Sequence, residues 1–403
     1  MKSVYDMTTF KIQFMRTQLL TTIFVLLSVA LPGLAQKRTF ADAQKVAADF
    51  FQSKDNNAKV CALRVNSKCG RKLLKRAASA TQEATDAYYL FANEDNNRLL
   101  VVSGDERMQR ILGYTDHALV GNAIPDGLAD LLEGYAAQYA ALGAVPTTSA
   151  SNAPARSALY KGERQLQTAA WGQWDPFNRM TPKAYHTGCA ATAMAIVMRY
   201  HQWPDIGNGS KTHIWTDSVM TAKFGETHYD WANMPMSYEK FNDTQATAVA
   251  LLMRHLGISV EMYYAAESSG ARQTLVPQAL AQYFRYGSTA RLLTASDYDA
   301  ATWDRMMRKE IDSNRPVIYT GESIQGRGAH GFVLDGYRDN LFHFNFGWNG
   351  SGNGYFAISA ITSTDRSFEF ANKQQAVIGI TPLKAENCAP LQLDCQGKYE
   401  GFY

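Results

Sequence analysis

The segment CAATAMAIVMRYH, residues 189–201, constrains the fold of this chain more than any other stretch. It contains no proline or glycine, and its alanine, methionine, isoleucine and valine residues predict a helix that is buried in a core. Gly188 directly precedes the segment and permits a tight backbone turn where the helix begins. We therefore expect a buried helix whose first residue is Cys189.

The region that contains this helix, residues 166–382, is predicted to have its helices first and its strands later. Helical patterns cover 189–201, 244–257 and 298–314. Strand patterns follow in PVIYTG, GFVLDGY, LFHFNFGW, GYFAIS and QAVIGI. Helices followed by antiparallel strands are typical of an α+β fold. The 403 residues, 46% of them hydrophobic, suffice for one large or two ordinary domains.

A smaller α+β unit is predicted ahead of this region, at residues 36–142. TFADAQKVAADFFQSK (39–54) has apolar residues at helical spacing, and AYYLFA, NEDNN and RLLVVSGD (87–105) predict a hairpin. A second amphipathic helix is predicted over 128–142, where leucine and tyrosine recur on one face. The sequence of this unit contains no catalytic constellation of its own.

The N-terminus has the layout of a signal peptide over residues 1–35. Basic residues precede the short apolar run LLTTIFVLLSVAL (19–31), and small residues lead to a cleavage point after about Ala35. The alternative is a membrane-anchoring helix, but the run is shorter than the roughly 20 residues that span a bilayer. We therefore expect export, to the periplasm or out of the cell, without a stable membrane anchor.

Two further segments are predicted to lie outside the packed regions. Residues 143–165 include GAVPTTSASNAPARSA, which is rich in alanine, serine, threonine and proline and lacks apolar periodicity. This composition predicts an exposed linker, where proteolytic cleavage concentrates. Residues 383–403 form a C-terminal tail.

The chain has five cysteines, and an exported protein meets an oxidising compartment. Cys61 and Cys69 are close in sequence, as are Cys388 and Cys395. Two local disulfides would leave Cys189 as the odd cysteine, which indicates a reactive thiol. The alternative is that all five are reduced and merely structural.

Charge and motif content exclude several classes of function. The formal net charge is +3 and no dense lysine or arginine stripe is present, which argues against nucleic-acid binding. GRGAHG (326–331) matches GxGxxG formally, but a strand pattern rather than a helix follows it, so nucleotide binding is rejected. The sequence has no CxxC pair or HExxH motif, so we expect no metal and no cofactor.

Cys189 at a helix N-terminus would face unsatisfied backbone N–H groups and the positive end of the helix dipole. This environment lowers the pKa of a thiol, and the same N–H groups can stabilise an oxyanion. A thiolate needs a proton partner, and His330 is the best placed of the eight histidines. Glycines flank it at the start of the strand pattern HGFVLDGY, which should leave its ring accessible. His186 is nearer in sequence, but a loop position three residues upstream fixes its geometry poorly.

The residue that orients this imidazole is expected on the next strand, because HGFVLDGY-RDN-LFHFNF predicts a hairpin. A two-residue turn at Asp339 and Asn340 would pair Asn345 with Leu334, on the face of His330. A three-residue turn would place Asn345 on the other face. The alternative is that Asn345 is an ordinary strand-end residue that satisfies nearby backbone groups.

Cys189, His330 and Asn345, in this order, resemble the streptopain and interpain family of secreted bacterial cysteine peptidases, which have a papain-like fold in two subdomains. The matching segments are WGQWDPFN, TGCAATAMAIVMRYHQWP, YDWANMP, LGISVEMYY, RPVIYTG, GAHGFVLDGY, FHFNFGWNG and QQAVIGITP. They span nearly the whole of residues 166–382. Residues 36–142 are similar to the family's inhibitory prodomain through YYLFANEDNNRLLVVSGDERMQRILGY.

The resemblance implies a cysteine endopeptidase that is made as a zymogen and activated by cleavage within 143–165. Its implied partners are protein or peptide substrates and its own prodomain. Cys189 is implied to be the nucleophile and His330 the general base and acid. Asn345 is implied to orient the imidazole. Gln173, in WGQ, is implied to join the Cys189 backbone N–H in an oxyanion hole.

The sequence departs from the family pattern at two places. Phe346 follows Asn345 where the family usually has a tryptophan that shields the hydrogen bond between histidine and asparagine. The glycine-rich loop before QQAVIGI is shortened here to SAITSTDRSFEFANK. The family's preference for an apolar side chain two residues before the scissile bond is therefore only an expectation.

Two other functions compete with the endopeptidase. A cell-wall amidase on a related papain-like scaffold would also use cysteine and histidine, but it would not require Gln173 or a prodomain. A catalytically silent binding protein with a protease fold would not need all four catalytic positions to be filled. The endopeptidase is therefore the leading hypothesis.

Overall fold

The buried helix predicted at residues 189–201 forms with these bounds in the computed structural model, and Gly188 is its N-cap. Its residues 190–198 are all buried. The structure describes residues 37–55, 58–65, 72–75, 87–95, 97–121, 123–143, 160–323, 328–360 and 373–384.

The N-terminal region, residues 37–143, contains both predicted helices and the predicted hairpin. A capping box between Thr39 and Asp42 fixes the start of the first helix. The elements are α1 (Phe40–Gln52), β1 (Val60–Val65), β2 (Leu73–Lys75), β3 (Tyr88–Asn93), β4 (Arg98–Ser103), β5 (Ile111–Thr115) and α2 (Asp126–Gly143). The hairpin is β3–β4.

The C-terminal region, residues 160–384, contains the predicted helices as α3, α4 and α6 and the predicted strands as β10 to β14. The elements are β6 (Glu163–Gln165), α3 (Cys189–His201), β7 (Lys211–Trp215), β8 (Ser218–Ala222), α4 (Asp243–Ser259), α5 (Leu275–Tyr283), β9 (Arg291–Thr294), α6 (Ala300–Asp312), β10 (Val317–Glu322), β11 (Ala329–Arg338), β12 (Leu341–Asn345), β13 (Gly354–Phe356) and β14 (Gln374–Ile378). Sequence analysis did not predict α5, because Pro277 interrupts its pattern, although the first turn of a helix tolerates proline. It also missed β6 to β9.

One antiparallel sheet runs through both regions. Its strand order is β2-β1-β3-β4-β5-β13-β12-β11-β10-β14-β9, with β6 paired to β11, while β7 and β8 form a separate hairpin. The two regions meet at β5 and β13, where Tyr114 pairs with Tyr355 and Gly113 with Phe356. The chain has the predicted α+β fold, but the sheet of the N-terminal unit continues into the C-terminal region.

The β11–β12 hairpin is covered on both faces. On one face, Phe332 and Leu334 belong to a hydrophobic cluster that they share with the N-terminal region. On the other face, Val333 belongs to the cluster around α3. Because successive strand residues point to opposite faces, His330 lies on the face that the N-terminal region covers.

Several predicted segments lie outside the described residues: the signal peptide, most of the linker (144–159), the loop at 361–372 and the tail from 385 onward. Cys69, Cys388 and Cys395 lie there too, so both disulfides stay predictions. Among the helices that the structure describes, none is long and apolar enough to cross a bilayer.

Candidate active site

Cys189 is the first residue of α3, and the backbone turn before it depends on glycine. Gly188 has a φ of 87°, in the region that favours glycine. A Cβ atom at this position would lie 2.6 Å from Sδ of Met262, so a side chain would also require Met262 to move. The N–H of Thr192 donates to the carbonyl of Gly188 at 3.0 Å and closes the first turn. Cys189 therefore lies at a helix N-terminus, as expected.

The thiol of Cys189 is nevertheless not activated in this arrangement. Its side chain is half-buried, and the loss of hydration raises the pKa of the thiol. Backbone N–H groups, including that of Gly331, lower this pKa, but the negative charge of Asp126 raises it further. The raising effects prevail. The expectation that the helix N-terminus lowers the pKa of Cys189 below its ordinary value is therefore wrong for this form of the chain.

The imidazole of His330 faces two carboxylates of α2 rather than the thiol. Its Nδ1 lies 2.8 Å from Oδ2 of Asp130, and its Nε2 lies 3.6 Å from Oδ2 of Asp126. Within the described residues no hydrogen bond joins His330 to Cys189. The side chain of His330 is only 13% exposed. The expectation of an accessible ring is therefore wrong, because α2 covers it.

The first turn of α2 lies directly on an aromatic cluster of the sheet. A Cβ atom at Gly127 would lie 2.5 Å from the ring of Phe332 and 2.9 Å from the ring of Phe346. Phe346 is 4% exposed, and its ring centroid lies 5.3 Å from that of Phe332. Phe346 is therefore buried beneath the first turn of α2, on the face of the sheet that the N-terminal region covers.

The β11–β12 turn contains two residues, which is the shorter of the two expected turns. A β-bulge between Leu334 and Gly336 then shifts the register, so that Asn345 pairs with Val333 instead of Leu334. Asn345 therefore lies on the face opposite His330. The expectation that a two-residue turn places both residues on one face is wrong, because it did not include the bulge.

The side chain of Asn345 is 1% exposed and hydrogen-bonded within the C-terminal region. Its Nδ2 donates to Oγ1 of Thr168 at 3.0 Å and to the carbonyl of Ala169 at 2.9 Å. Its Oδ1 accepts from the N–H of Gly347 at 3.2 Å. The amide thus has a fixed orientation without any hydrogen bond to His330.

Gln173 lies beside the loop that leads into α3. Its backbone carbonyl accepts a hydrogen bond from the N–H of Thr187 at 3.2 Å. Nearby, the N–H of Asn349 donates to the carbonyl of Trp171 at 3.0 Å, which ties this segment to the loop after β12. The segment of Gln173 is therefore held between the start of α3 and the end of β12.

Of the four predicted site residues, His330 alone is bound to the N-terminal region in the part of the chain that the structure describes. The others lie on elements around the start of α3. Sequence analysis missed Asp126 and Asp130. Their spacing in DGLAD is a usable signal, because residues four apart on a helix face the same partner.

A second cluster of titratable side chains joins the two regions away from Cys189. Asp116, His117 and His343 place donor atoms close enough together to share a metal ion. Asp116 lies 2.7 Å from Nδ1 of His117 and 3.2 Å from Nε2 of His343. Ion pairs account for this cluster, and no metal role is assigned to it.

Two family models match the chain, one in each region. The model of the peptidase C10 family matches residues 171–356, and the model of the Spi protease inhibitor matches residues 35–139. The first match contains Cys189, His330 and Asn345. The second contains Asp126 and Asp130.

Two relatives match over most of the chain. The thiol protease/hemagglutinin PrtT of Porphyromonas gingivalis is 30% identical in an alignment of 395 residues that covers 91% of this chain and 44% of PrtT. Streptopain of Streptococcus pyogenes is 29% identical in an alignment of 319 residues that covers 72% of this chain and 80% of streptopain. The chain thus spans less than half the length of PrtT.

Solved structures with a similar fold include two from Prevotella intermedia. A fragment of prointerpain A of Prevotella intermedia, with a cysteine-to-alanine substitution, matches with a TM-score of 0.61 and 31% identity over 74% of this chain and 97% of the fragment. Active wild-type interpain A matches with a TM-score of 0.50 and 35% identity over 56% of this chain and 97% of that protein. These matches confirm the family that the sequence motifs indicated. The chain belongs to the peptidase C10 family, the streptopain and interpain family of cysteine endopeptidases.

Proposed function

We propose that this chain is the inactive precursor of a secreted cysteine endopeptidase, with residues 36–142 as its inhibitory prodomain and 166–382 as its peptidase domain. The contact between Asp130 and His330 carries this proposal. A cysteine peptidase needs its histidine beside the thiol, and here a prodomain carboxylate lies 2.8 Å from the ring. The raised pKa of Cys189 fits the same inactive state.

Activation would follow from cleavage in the 143–165 linker, and the structure favours a position before Tyr160. The ring of Tyr160 lies 4.3 Å from the guanidinium of Arg308. Residues 163–165 form β6, which pairs with β11 of the peptidase domain. Residues from Tyr160 onward are thus bound to the peptidase domain, and cleavage before Tyr160 would leave these contacts intact.

Loss of the prodomain would free His330 and change the charge at the thiol. The carboxylates of Asp126 and Asp130 leave the ring, and the charge that raises the pKa of Cys189 leaves with them. The strand that bears His330 lies close to the thiol, but the ring points to its other face and has to turn with the start of β11. A Cβ atom built on Gly331, the next residue, would lie 3.7 Å from the backbone N of Ala190, so β11 passes within side-chain reach of Cys189.

We infer that the freed imidazole takes the proton of the thiol, which gives a thiolate and an imidazolium. The thiolate attacks the carbonyl carbon of a peptide bond, and the C–S bond forms as the carbonyl electrons move to oxygen. The Cys189 N–H and the side-chain amide of Gln173 would stabilise this oxyanion.

The remaining steps use the same two groups. The C–N bond breaks as His330 gives its proton to the leaving amine, and a thioester remains on Cys189. His330 then deprotonates a water molecule, which attacks the thioester carbon and releases the carboxylic acid and the thiolate. Asn345 would orient the imidazole throughout. The layout of residues 1–35 supports export, so the expected substrates are proteins and peptides outside the cytoplasm.

The direct test compares the full-length chain with Cys189→Ala. We expect the wild-type chain to shorten itself to a product that begins within residues 143–160, as read by N-terminal sequencing, and then to cleave casein. The variant should stay full-length and inert, and an epoxide thiol probe should label the processed wild type alone. Cleavage of casein by the variant, or wild-type activity on peptidoglycan but not on casein, would contradict the proposal.

A further inference from the structure

We propose that Thr168, Asp335 and His343 form a buried network that positions Asn345 for catalysis. This inference rests on the proposed function, because it assigns a task to residues behind the orienting asparagine. None of the three touches the thiol or the imidazole of His330 in the described contacts. They act through Asn345 and are therefore positioning residues.

The network begins at the amide of Asn345, whose orientation is decided by one partner. The carbonyl of Ala169 can only accept a hydrogen bond, so the atom 2.9 Å from it must be Nδ2 of Asn345. The second proton of Nδ2 points to Oγ1 of Thr168 at 3.0 Å. Both protons are thereby used inside the domain. Oδ1, which accepts from Gly347, keeps a lone pair for the imidazolium of His330.

Thr168 can hold the amide because its own proton is engaged elsewhere. Its hydroxyl donates to Oδ2 of Asp335, a carboxylate that is 1% exposed. A hydroxyl that donates to a carboxylate has its lone pairs free to accept from Asn345. The backbone reinforces this contact, since the N–H of Leu166 donates to the carbonyl of Asp335 at 2.8 Å. The hydroxyl of Thr168 therefore accepts from the amide of Asn345 and donates to the buried carboxylate of Asp335, and these two roles cannot be exchanged.

His343 supplies the charge that keeps Asp335 in place. Nδ1 of His343 is hydrogen-bonded to Oδ1 of Asp335, and the side chain of His343 is 2% exposed. Asp335 lies in the β-bulge of β11, so the same irregularity that shifts Asn345 to the face of α3 also turns this carboxylate toward His343 and Thr168. The bulge of β11, the carboxylate of Asp335 and the amide of Asn345 thus belong to one connected arrangement.

The prodomain bears on the far end of the network. Nε2 of His343 lies 3.2 Å from Oδ2 of Asp116, which belongs to the loop after β5. The side-chain N–H and O–H groups of His343, Thr168 and Asn345 consequently all have an acceptor. When the prodomain leaves, the first carboxylate is lost, but the part from His343 to Asn345 lies wholly within the peptidase domain and remains.

The test replaces the half-buried hydroxyl of Thr168, which is the smallest change that cuts the network. Full-length Thr168→Val and Thr168→Ser are made, cut at Arg156 in the linker with immobilised trypsin, and their active sites are titrated with an epoxide thiol reagent. For Thr168→Val we expect kcat to fall by roughly 3- to 10-fold, the effect of losing about one net hydrogen bond of orientation. KM should change by less than about twofold, since substrate contacts stay intact.

The pH profile separates positioning from simple loss of structure. A poorly oriented Asn345 accepts less well from the imidazolium, so the alkaline limb of kcat/KM should move to lower pH in Thr168→Val. Thr168→Ser keeps the hydroxyl and should restore both the rate and the limb. Thr212→Val, which removes a hydroxyl bonded to Thr221 at 2.9 Å on the exposed β7–β8 hairpin, is the matched control and should match the wild type.

The outcomes can be told apart. Wild-type rates and an unmoved pH limb in Thr168→Val would overturn the network while leaving the proposed function intact. Equal losses in Thr168→Val and Thr168→Ser would also overturn it, because the hydroxyl would then be irrelevant. Processed wild type without Cys189-dependent cleavage would overturn the proposed function itself.

Discussion

Different elements cover the two faces of the β11–β12 hairpin. The predicted site residue on one face is bonded within the C-terminal region, and the one on the other face is bonded to the N-terminal region. On the face toward α3, Asn345 has both amide protons bonded to Thr168 and Ala169. On the opposite face, His330 is bonded to Asp130 of α2. Under the proposed function, inhibition therefore acts on His330, while Asn345 is already held in a fixed orientation. Under the proposed function, activation requires His330 to cross to the face of Asn345, so the start of β11, where His330 pairs with Gly321 of β10, has to change its backbone.

The strongest test of this asymmetry is Asp130→Asn. Hydrogen bonds to charged groups contribute about 1.5–3 kcal/mol, so removing this charge should release His330 in a substantial share of molecules. We expect the uncut chain to react with iodoacetamide at pH 6 roughly 10- to 100-fold faster than the wild type, because the imidazole can then ionise the thiol. The rate is read by mass spectrometry at Cys189.

Glu133→Gln is the control for this experiment. Glu133 is also on α2 but accepts from Ser323 rather than from His330. If both variants react equally fast, general loosening of α2 explains the gain, and the specific role of Asp130 is wrong.

The face that is already assembled is tested by the pH dependence of stability. Burial lowers the pKa of His343, but the carboxylates of Asp335 and Asp116 outweigh burial and raise it from 6.5 to about 10. A histidine whose pKa is raised on folding stabilises fully below its unfolded pKa, and this contribution is lost as the pH rises through the folded value. In a Cys189→Ala background, the wild-type chain should exceed His343→Gln in free energy of unfolding by a few kcal/mol at pH 6.

This gap should shrink between pH 6.5 and pH 10, as measured by urea unfolding. His228→Gln, at an exposed histidine, should differ little from its parent at either pH. A gap for His343→Gln that stays constant up to pH 10 would show that the imidazolium is not the stabilising species.

A smaller effect is expected at the close contact of α2 with the sheet. In Gly127→Ala, the new methyl group would lie 2.5 Å from the ring of Phe332, and such overpacking destabilises by about 1–3 kcal/mol. We expect the uncut chain to have a lower free energy of unfolding, and the variant with an intact Cys189 to process itself faster. Gly287→Ala, whose Cβ would have no neighbour closer than 3.4 Å, should change neither.

The smallest effect is expected at the edge of the same contact. The hydroxyl of Ser323 donates to Oε2 of Glu133 at 2.9 Å, and a single hydrogen bond contributes about 0.5–1.5 kcal/mol net. Because both residues have other interactions, a double-mutant cycle of Ser323→Ala and Glu133→Gln isolates this pair. A coupling energy near zero in unfolding experiments would show that this bond does not help to hold α2 on the C-terminal region.

Local patterns allowed much of the fold to be predicted. The bounds of α3 follow from an apolar run after a glycine, and the β11–β12 hairpin follows from two strand patterns around RDN, although the sequence left a two-residue and a three-residue turn open. What could not be predicted depends on partners distant in sequence. The bulge at Asp335 is stabilised by Thr168 and His343, and no local signal near residue 335 announces it.

The same limit applies to the site. Sequence analysis could select Cys189 and His330 by residue type and surroundings, but not their separation in this form. That separation is produced by Asp126 and Asp130, which lie about 200 residues before His330. The pKa of Cys189 is one result of this packing. Backbone N–H groups at the helix N-terminus lower this pKa, but burial and the carboxylate of Asp126 raise it more. Tertiary packing therefore decides which of these opposing effects on the pKa prevails.

The strand pairing of β5 with β13 has a consequence for the mature form. In the precursor β13 lies in the interior of a sheet, with β12 on one side and β5 on the other. Under the proposed function, departure of the prodomain would expose the backbone N–H and C=O groups on one side of β13, together with aromatic surface such as Phe356. Bare sheet edges are templates for pairing with another chain. The proposed maturation would therefore replace an intramolecular strand partner by an open sheet edge, which water or a strand of another chain would then have to cover.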